Sequence, residues 1–126
     1  MHENDIAKII FTVAVKVHKQ LGPGLFESAY QTCMAYELRK QGLFVEEQKI
    51  LPLVYEDIWL DKGYRIDILV EGKVIIELKS IEAIADIHRA QVLTYLKLSG
   101  CKLALLMNFN VPYMGKGVQR FINGIL

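Results

Sequence analysis

Cysteine is scarce in this chain, with two in 126 residues. Cys33 and Cys101 are far apart, form no C-x-x-C pair and follow no secretory leader. They read as free thiols of a reducing, cytoplasmic setting rather than as a disulfide framework. An excess of positive charge is also missing: 15 Lys and Arg face 14 Asp and Glu, for a formal charge of +1. That balance excludes the polybasic class of nucleic-acid binder, so any contact with a polyanion has to be local, metal-assisted or shared between subunits. No apolar run approaches the ~20 residues that a membrane-spanning helix needs, and no membrane partner is expected. The three histidines and two cysteines lack zinc-ligand spacing. Internal repeats, low-complexity tracts and linkers are absent as well.

What remains is a chain with 52% hydrophobic residues, enough for one core, and residues 1–126 read as a single domain. Ile6, Ile9, Ile10, Val13, Ala14 and Val17 recur at helical spacing, which predicts a helix from Asn4 to about Gln20 with Asn4 or Asp5 as N-cap. Leu21-Gly22-Pro23-Gly24 breaks it, and a second helix is expected from Phe26 to Gln41. Phe44 to about Tyr55 reads as one strand, followed by a turn at Asp61-Lys62-Gly63. Strands Tyr64–Val70 and Lys73–Ser80 flank Glu71-Gly72, which has the composition of a tight antiparallel hairpin. A helix over Ala85–Ser99, a buried strand over Leu103–Phe109 and an edge strand at Val118–Ile122 complete the order. The expected architecture is α/β: a mixed sheet of about five strands flanked by helices.

Charge interrupts two of these strands where apolar residues are due. Asp67 lies within Tyr64–Val70, and Glu77 and Lys79 lie within Val74–Ser80. An unpaired buried charge costs several kcal/mol, so three such groups in a core call for a use. Period-two alternation sets Glu77 and Lys79 on one face and Leu78 on the other. Asp67 and Glu77 could give a divalent cation such as Mg²⁺ two carboxylate oxygens, with the Leu78 carbonyl as a third. Lys79 would stand beside them, its charge relieving the crowding that raises carboxylate pKa values. The competing reading is a half-solvated hairpin face on which Asp67, Glu77 and Lys79 form a surface ion pair. Ile75 shares the face of Glu77 and Lys79, while Arg65 and Leu69 share that of Asp67, a mixture that favours a cleft.

Asp67 followed by Glu77-Leu78-Lys79 resembles the D…E-x-K signature of the PD-(D/E)xK nuclease superfamily. Ile66 stands where the superfamily often has proline. Gln91-Val92-Leu93-Thr94-Tyr95 is similar to the Q-x-x-x-Y motif of its RecB-like branch. Gly24, Glu27 and Tyr30 match the pattern that names the GxxExxY family. The resemblance runs from the first helix to Asn108-Phe109, with the blocks in the family's order. It implies a restriction-endonuclease-like sandwich and an Mg²⁺-dependent phosphodiesterase, with Mn²⁺ as a substitute. By position, Asp67 and Glu77 become metal ligands and Lys79 the catalytic lysine. Glu27 becomes a helix-borne acid at the metal, as ligand or through water. Gln91 and Tyr95 orient Lys79, Glu77 or the phosphate.

Helical spacing agrees, since Glu27 and Tyr30, and Gln91 and Tyr95, each share a face, with His88 joining the latter. Without that resemblance, an ordinary amphipathic boundary, with Tyr95 packed in the core and Gln91 solvated, is the better account of that pair. His18 reads either as a phosphate contact or as a hydrogen-bonded boundary residue. Lys8, Lys16 and Lys19 form one arc that could track a phosphate backbone or simply be solvated. Gly22-Pro23-Gly24 and Gly115-Lys116-Gly117 lack the G-K-[ST] ending of a P-loop and read as turns. The expected partner is nucleic acid, DNA ahead of RNA, in repair or defence. The alternative is a non-catalytic module of the same fold that binds nucleic acid or protein. A homodimer would enlarge so small a cleft.

Overall fold

The computed structural model describes residues 1–60 and 63–126. The expected turn at Asp61-Lys62-Gly63 therefore falls largely outside the described residues. Helix α1 spans Glu3–Leu21 and turns Ile6, Ile10, Val13, Ala14 and Val17 into the core. Its N-cap is His2, not Asn4 or Asp5. The His2 backbone is extended, and its ring Nδ1 accepts the free Asn4 N–H at 2.9 Å. Helix α2 is Glu27–Lys40, one residue inside each expected bound.

The expected strand Phe44–Tyr55 is instead two. Strand β1 covers Val45–Ile50 and β2 covers Leu53–Tyr55, separated by Leu51-Pro52. Pro52 has no N–H for a ladder and restricts the residue before it, which breaks the strand there. Strand β2 pairs with an unexpected β3, Ile58–Leu60, as a separate two-stranded ribbon. Strands β4 (Arg65–Val70) and β5 (Val74–Lys79) form the expected antiparallel hairpin. At its turn Glu71 and Gly72 both take positive φ, 55° and 63°, the backbone of a type I′ turn. Helix α3 (Asp86–Ser99), β6 (Leu103–Asn108), a 3-10 turn (Met114–Lys116) and β7 (Val118–Ile122) follow.

The main sheet runs β1-β4-β5-β6-β7. Only β5 and β6 are parallel, and α3 makes the crossover between them. One face carries α1 and α2 over Ile68, Val70, Val74, Ile76, Leu78, Leu105 and Met107. The other carries α3, whose Val92, Tyr95 and Leu96 cover Leu69, Ile75, Ala104 and Leu106. Every residue of β6 is buried, as a strand covered on both faces requires. This is a mixed α/β architecture consistent with a restriction-endonuclease-like fold. Among the described residues no helix is long and apolar enough to cross a membrane.

Candidate active site

The β4–β5 ladder is interrupted where the charged residues lie. Backbone pairing runs from Val70↔Val74 to Ile68↔Ile76 and stops there, although Asp67 and Glu77 would form the next rung. Side chains take over the ladder's hydrogen bonds. The Asp67 N–H donates to Glu77 Oε1 at 3.2 Å, and the Leu78 N–H donates to Asp67 Oδ2 at 2.8 Å. Each carboxylate thus accepts from the opposite strand, and the two strands fork around the pair. Beyond the fork, β5 stays paired to β6 as far as Lys79↔Asn108.

A cavity of about 290 Å³ opens at the fork, lined by Asp67, Glu77, Leu78, Lys79, Glu27, Gln91 and Tyr95. All the candidate residues therefore meet at one hollow. Glu77 is only 3% exposed, which removes the reading of a surface ion pair. Burial, then the neighbouring Asp67 charge, raises its pKa from 4.5 to about 9, with Lys79 pulling the other way. Glu77 therefore holds a proton at neutral pH. Among the described residues no carboxylate lies within ion-pair distance of the Lys79 ammonium.

Tyr95 is buried, and its hydroxyl accepts from Gln91 Nε2 at 3.2 Å. Burial, then the Glu77 charge, raises the Tyr95 pKa, so the phenol remains protonated. Gln91 is the exposed member of the pair and reaches the hollow. Glu27 enters from the first turn of α2, where Oε1 accepts the Ser80 N–H at 3.3 Å. Ser80 Oγ donates in turn to the Leu25 carbonyl at 2.6 Å. These two bonds tie the start of α2 to the end of β5.

Tyr30, one turn after Glu27, does not line the hollow. It is fully buried, stacks on Phe109 at 4.3 Å, donates to the Gly22 carbonyl at 2.6 Å and accepts the Leu25 N–H at 3.1 Å. It staples the loop that delivers Glu27. His18 is also buried, with Nε2 at 2.8 Å from the Val111 carbonyl, and takes the boundary role. His88 Nδ1 accepts the Ala85 N–H and caps α3. Lys16, of the Lys8, Lys16 and Lys19 arc, pairs with Glu37 at 2.9 Å.

Sequence reasoning did not single out Gln48, Gln31 or Asn108. Gln48 sits at φ 49°, and the β1–β4 register skips the Gln48/Asp67 rung. Its amide bridges Gln31 Oε1 at 2.7 Å and Asp67 Oδ1 at 3.1 Å. Asn108 is buried and clamps the segment after Lys79: Oδ1 accepts from Ile81 N–H and Nδ2 donates to the Ile81 carbonyl. Nothing in local periodicity marks Gln48 or Asn108, because each reaches across to partners 17 or more positions away.

A family model of the PD-(D/E)XK nuclease superfamily matches residues 4–121. The chain belongs to this superfamily. PD-(D/E)XK proteins are generally nucleases, which supports a hydrolase role in general terms. Searches of curated proteins and of solved structures each return no match.

The donor set bears on the divalent metal that PD-(D/E)XK nucleases typically use. Among the described residues no three His, Cys, Asp or Glu side chains are gathered closely enough to hold an ion by themselves. Two carboxylates, Asp67 and a Glu77 whose pKa is raised by burial and then by the Asp67 charge, do fit a hard divalent cation with protein carbonyl and water completing its shell.

Proposed function

We infer that this chain is an Mg²⁺-dependent nuclease of the GxxExxY branch that hydrolyses phosphodiester bonds in nucleic acid, DNA ahead of RNA. The observation that carries the reading is the forked hairpin, in which Asp67 and Glu77 clasp each other's strand at a hollow shared with Lys79 and Gln91. A sheet gives up a backbone rung for this arrangement, and a purely structural hairpin gains nothing from it.

Asp67, Glu77 and the Leu78 carbonyl would hold the cation, with Glu27 reaching it through water. The cation would supply Lewis-acid stabilisation of the phosphoryl oxygens and a nucleophile near neutral pH. Glu77 would have to give up its proton to hold the cation, since a ligating carboxylate must be ionised. Lys79, at the edge of the hollow and without an ion-pair partner among the described residues, offers its ammonium to the scissile phosphate and offsets charge developing on the non-bridging oxygens. Gln91 donates to the Tyr95 hydroxyl, which fixes that hydroxyl at the wall of the hollow where Glu77 or a phosphate oxygen can use it. Gln48 and the Leu78 N–H hold Asp67 in one orientation, so an arriving cation would meet a carboxylate that need not reorganise.

The test is cleavage of varied DNA and RNA substrates with Mg²⁺ or Mn²⁺. Lys79→Ala and Asp67→Ala should each lower cleavage by about 100-fold or more. Persistent inactivity of the unmodified chain, together with no calorimetric Mg²⁺ or Mn²⁺ binding at millimolar levels, would favour the non-catalytic module.

A further inference from the structure

The β2–β3 ribbon is an apolar arm with no place in the core. Its rungs are Leu53↔Leu60, Val54↔Trp59 and Tyr55↔Ile58, so both of its faces are apolar. Trp59 is 68% exposed and Tyr55 63%, and Val54, Ile58 and Leu60 are exposed too. None of these side chains joins either core cluster, and neither strand extends the five-stranded sheet. An isolated two-stranded ribbon is marginal in water at best, and an apolar patch of this kind marks an interaction site.

Charge decides what kind of partner fits. From Ile50 to Leu60 there is no Lys or Arg, and the tip of the ribbon carries Glu56 and Asp57. A polyanion would be repelled, whereas an apolar protein groove with a basic rim would fit. The chain has such a groove. A cavity of about 700 Å³ lies between α1 and β7, with Ala7, Phe11, Leu105 and Val118 as its apolar wall and Lys8 and Arg120 as its basic groups. Phe11 is 40% exposed there. Neither Lys8 nor Arg120, nor Glu56 or Asp57, has an ion-pair partner among the described residues. The arm springs from the β1–β4 end of the sheet and the groove lies at the opposite β7 edge. That separation directs the arm towards another molecule rather than back onto its own.

We propose that the chain self-associates by seating the Val54–Trp59 arm of one copy in the α1–β7 groove of a second, with Glu56 and Asp57 meeting Lys8 and Arg120. Dispersion and apolar burial supply the affinity, and the opposed charges fix the register. The contact requires no catalysis and stands or falls apart from it.

Trp59 is the only tryptophan, so its fluorescence reads the arm alone. Sedimentation velocity and tryptophan emission are followed over a concentration series of the full chain. Mass and a blue shift of emission should rise together. Trp59→Ser should abolish association. Asp57→Lys and Lys8→Glu should each weaken it about fivefold or more, and mixing these two single variants should restore it through the arm–groove pair that again carries opposite charges. Both charge changes are at exposed positions, and an unchanged circular-dichroism melt verifies the fold. A monomer at every concentration, or association indifferent to these changes, overturns the proposal. So does a chain that stays monomeric while a DNA or RNA oligonucleotide alone shifts Trp59 emission to the blue.

Discussion

Replacing Glu77 with Gln should stabilise the metal-free protein, and the gain should depend on pH in a way that identifies its cause. In the native state burial and Asp67 hold the Glu77 pKa at about 9, against 4.5 for a free side chain. A raised native pKa means that the folded chain binds a proton the unfolded chain gives up. The associated stability is therefore full below 4.5 and is lost progressively as pH rises towards 9. The slope is about 1.4 kcal/mol per pH unit, so near neutrality wild type has lost roughly 3 kcal/mol. Gln keeps an acceptor for the Asp67 N–H and does not ionise, so it avoids that loss. In chelator, the two proteins should melt nearly together around pH 5. Glu77→Gln should melt about 10 °C higher around pH 7, from the unfolding entropy expected for a chain of this length. Mg²⁺ should then raise wild type and leave the variant nearly unmoved. Parallel stability curves for the two proteins across this range would refute the reasoning, because they would mean that Glu77 is already ionised in the metal-free fold.

Three further outcomes follow from the same geometry. Tyr30→Phe keeps the stack on Phe109 but leaves the Gly22 carbonyl and the Leu25 N–H without their partner; urea unfolding should show a loss of about 1–3 kcal/mol. Gly117→Ala would drive a methyl group into the Asn108 carbonyl oxygen, so its melting temperature should collapse. Such a clash costs on the order of 3 kcal/mol or more, and a variant melting like wild type would contradict the packing. Asn108→Ala removes the clamp on Ile81, and Mg²⁺-dependent cleavage should fall by a larger factor than the modest shift in urea midpoint implies, because the segment following Lys79 loses its anchor.

Much of the fold was legible because helices and strands here obey their own periods. The 3-to-4 spacing of Ile6, Ile10, Val13 and Val17 needs no tertiary knowledge, nor does the Glu71-Gly72 turn between two apolar strands. The misreadings occur where a single residue overrides pattern. Pro52 splits an otherwise acceptable strand, and His2 caps α1 because its backbone is already extended, a choice that preferences for Asn and Asp miss. The candidate site was legible in composition, since Asp67, Glu77 and Lys79 are conspicuous among Ile, Leu and Val. Its most informative property was not. The exchange of a backbone rung for two carboxylate contacts depends on how β4 and β5 diverge, and period-two reasoning describes only strands that stay together. Gln48 and Asn108 escaped for a related reason, being defined by what they touch across the sheet.

The fork also leaves its two limbs unequally supported. On one side, β5 is braced along its whole length by six parallel pairings to β6, and Asn108 locks the chain just past Lys79. On the other, the β4 limb and its β1 neighbour are held at Asp67 only by side-chain contacts. Glu77 and Lys79 therefore stand on the braced strand, and Asp67 reaches them from the limb that has given up its backbone rung.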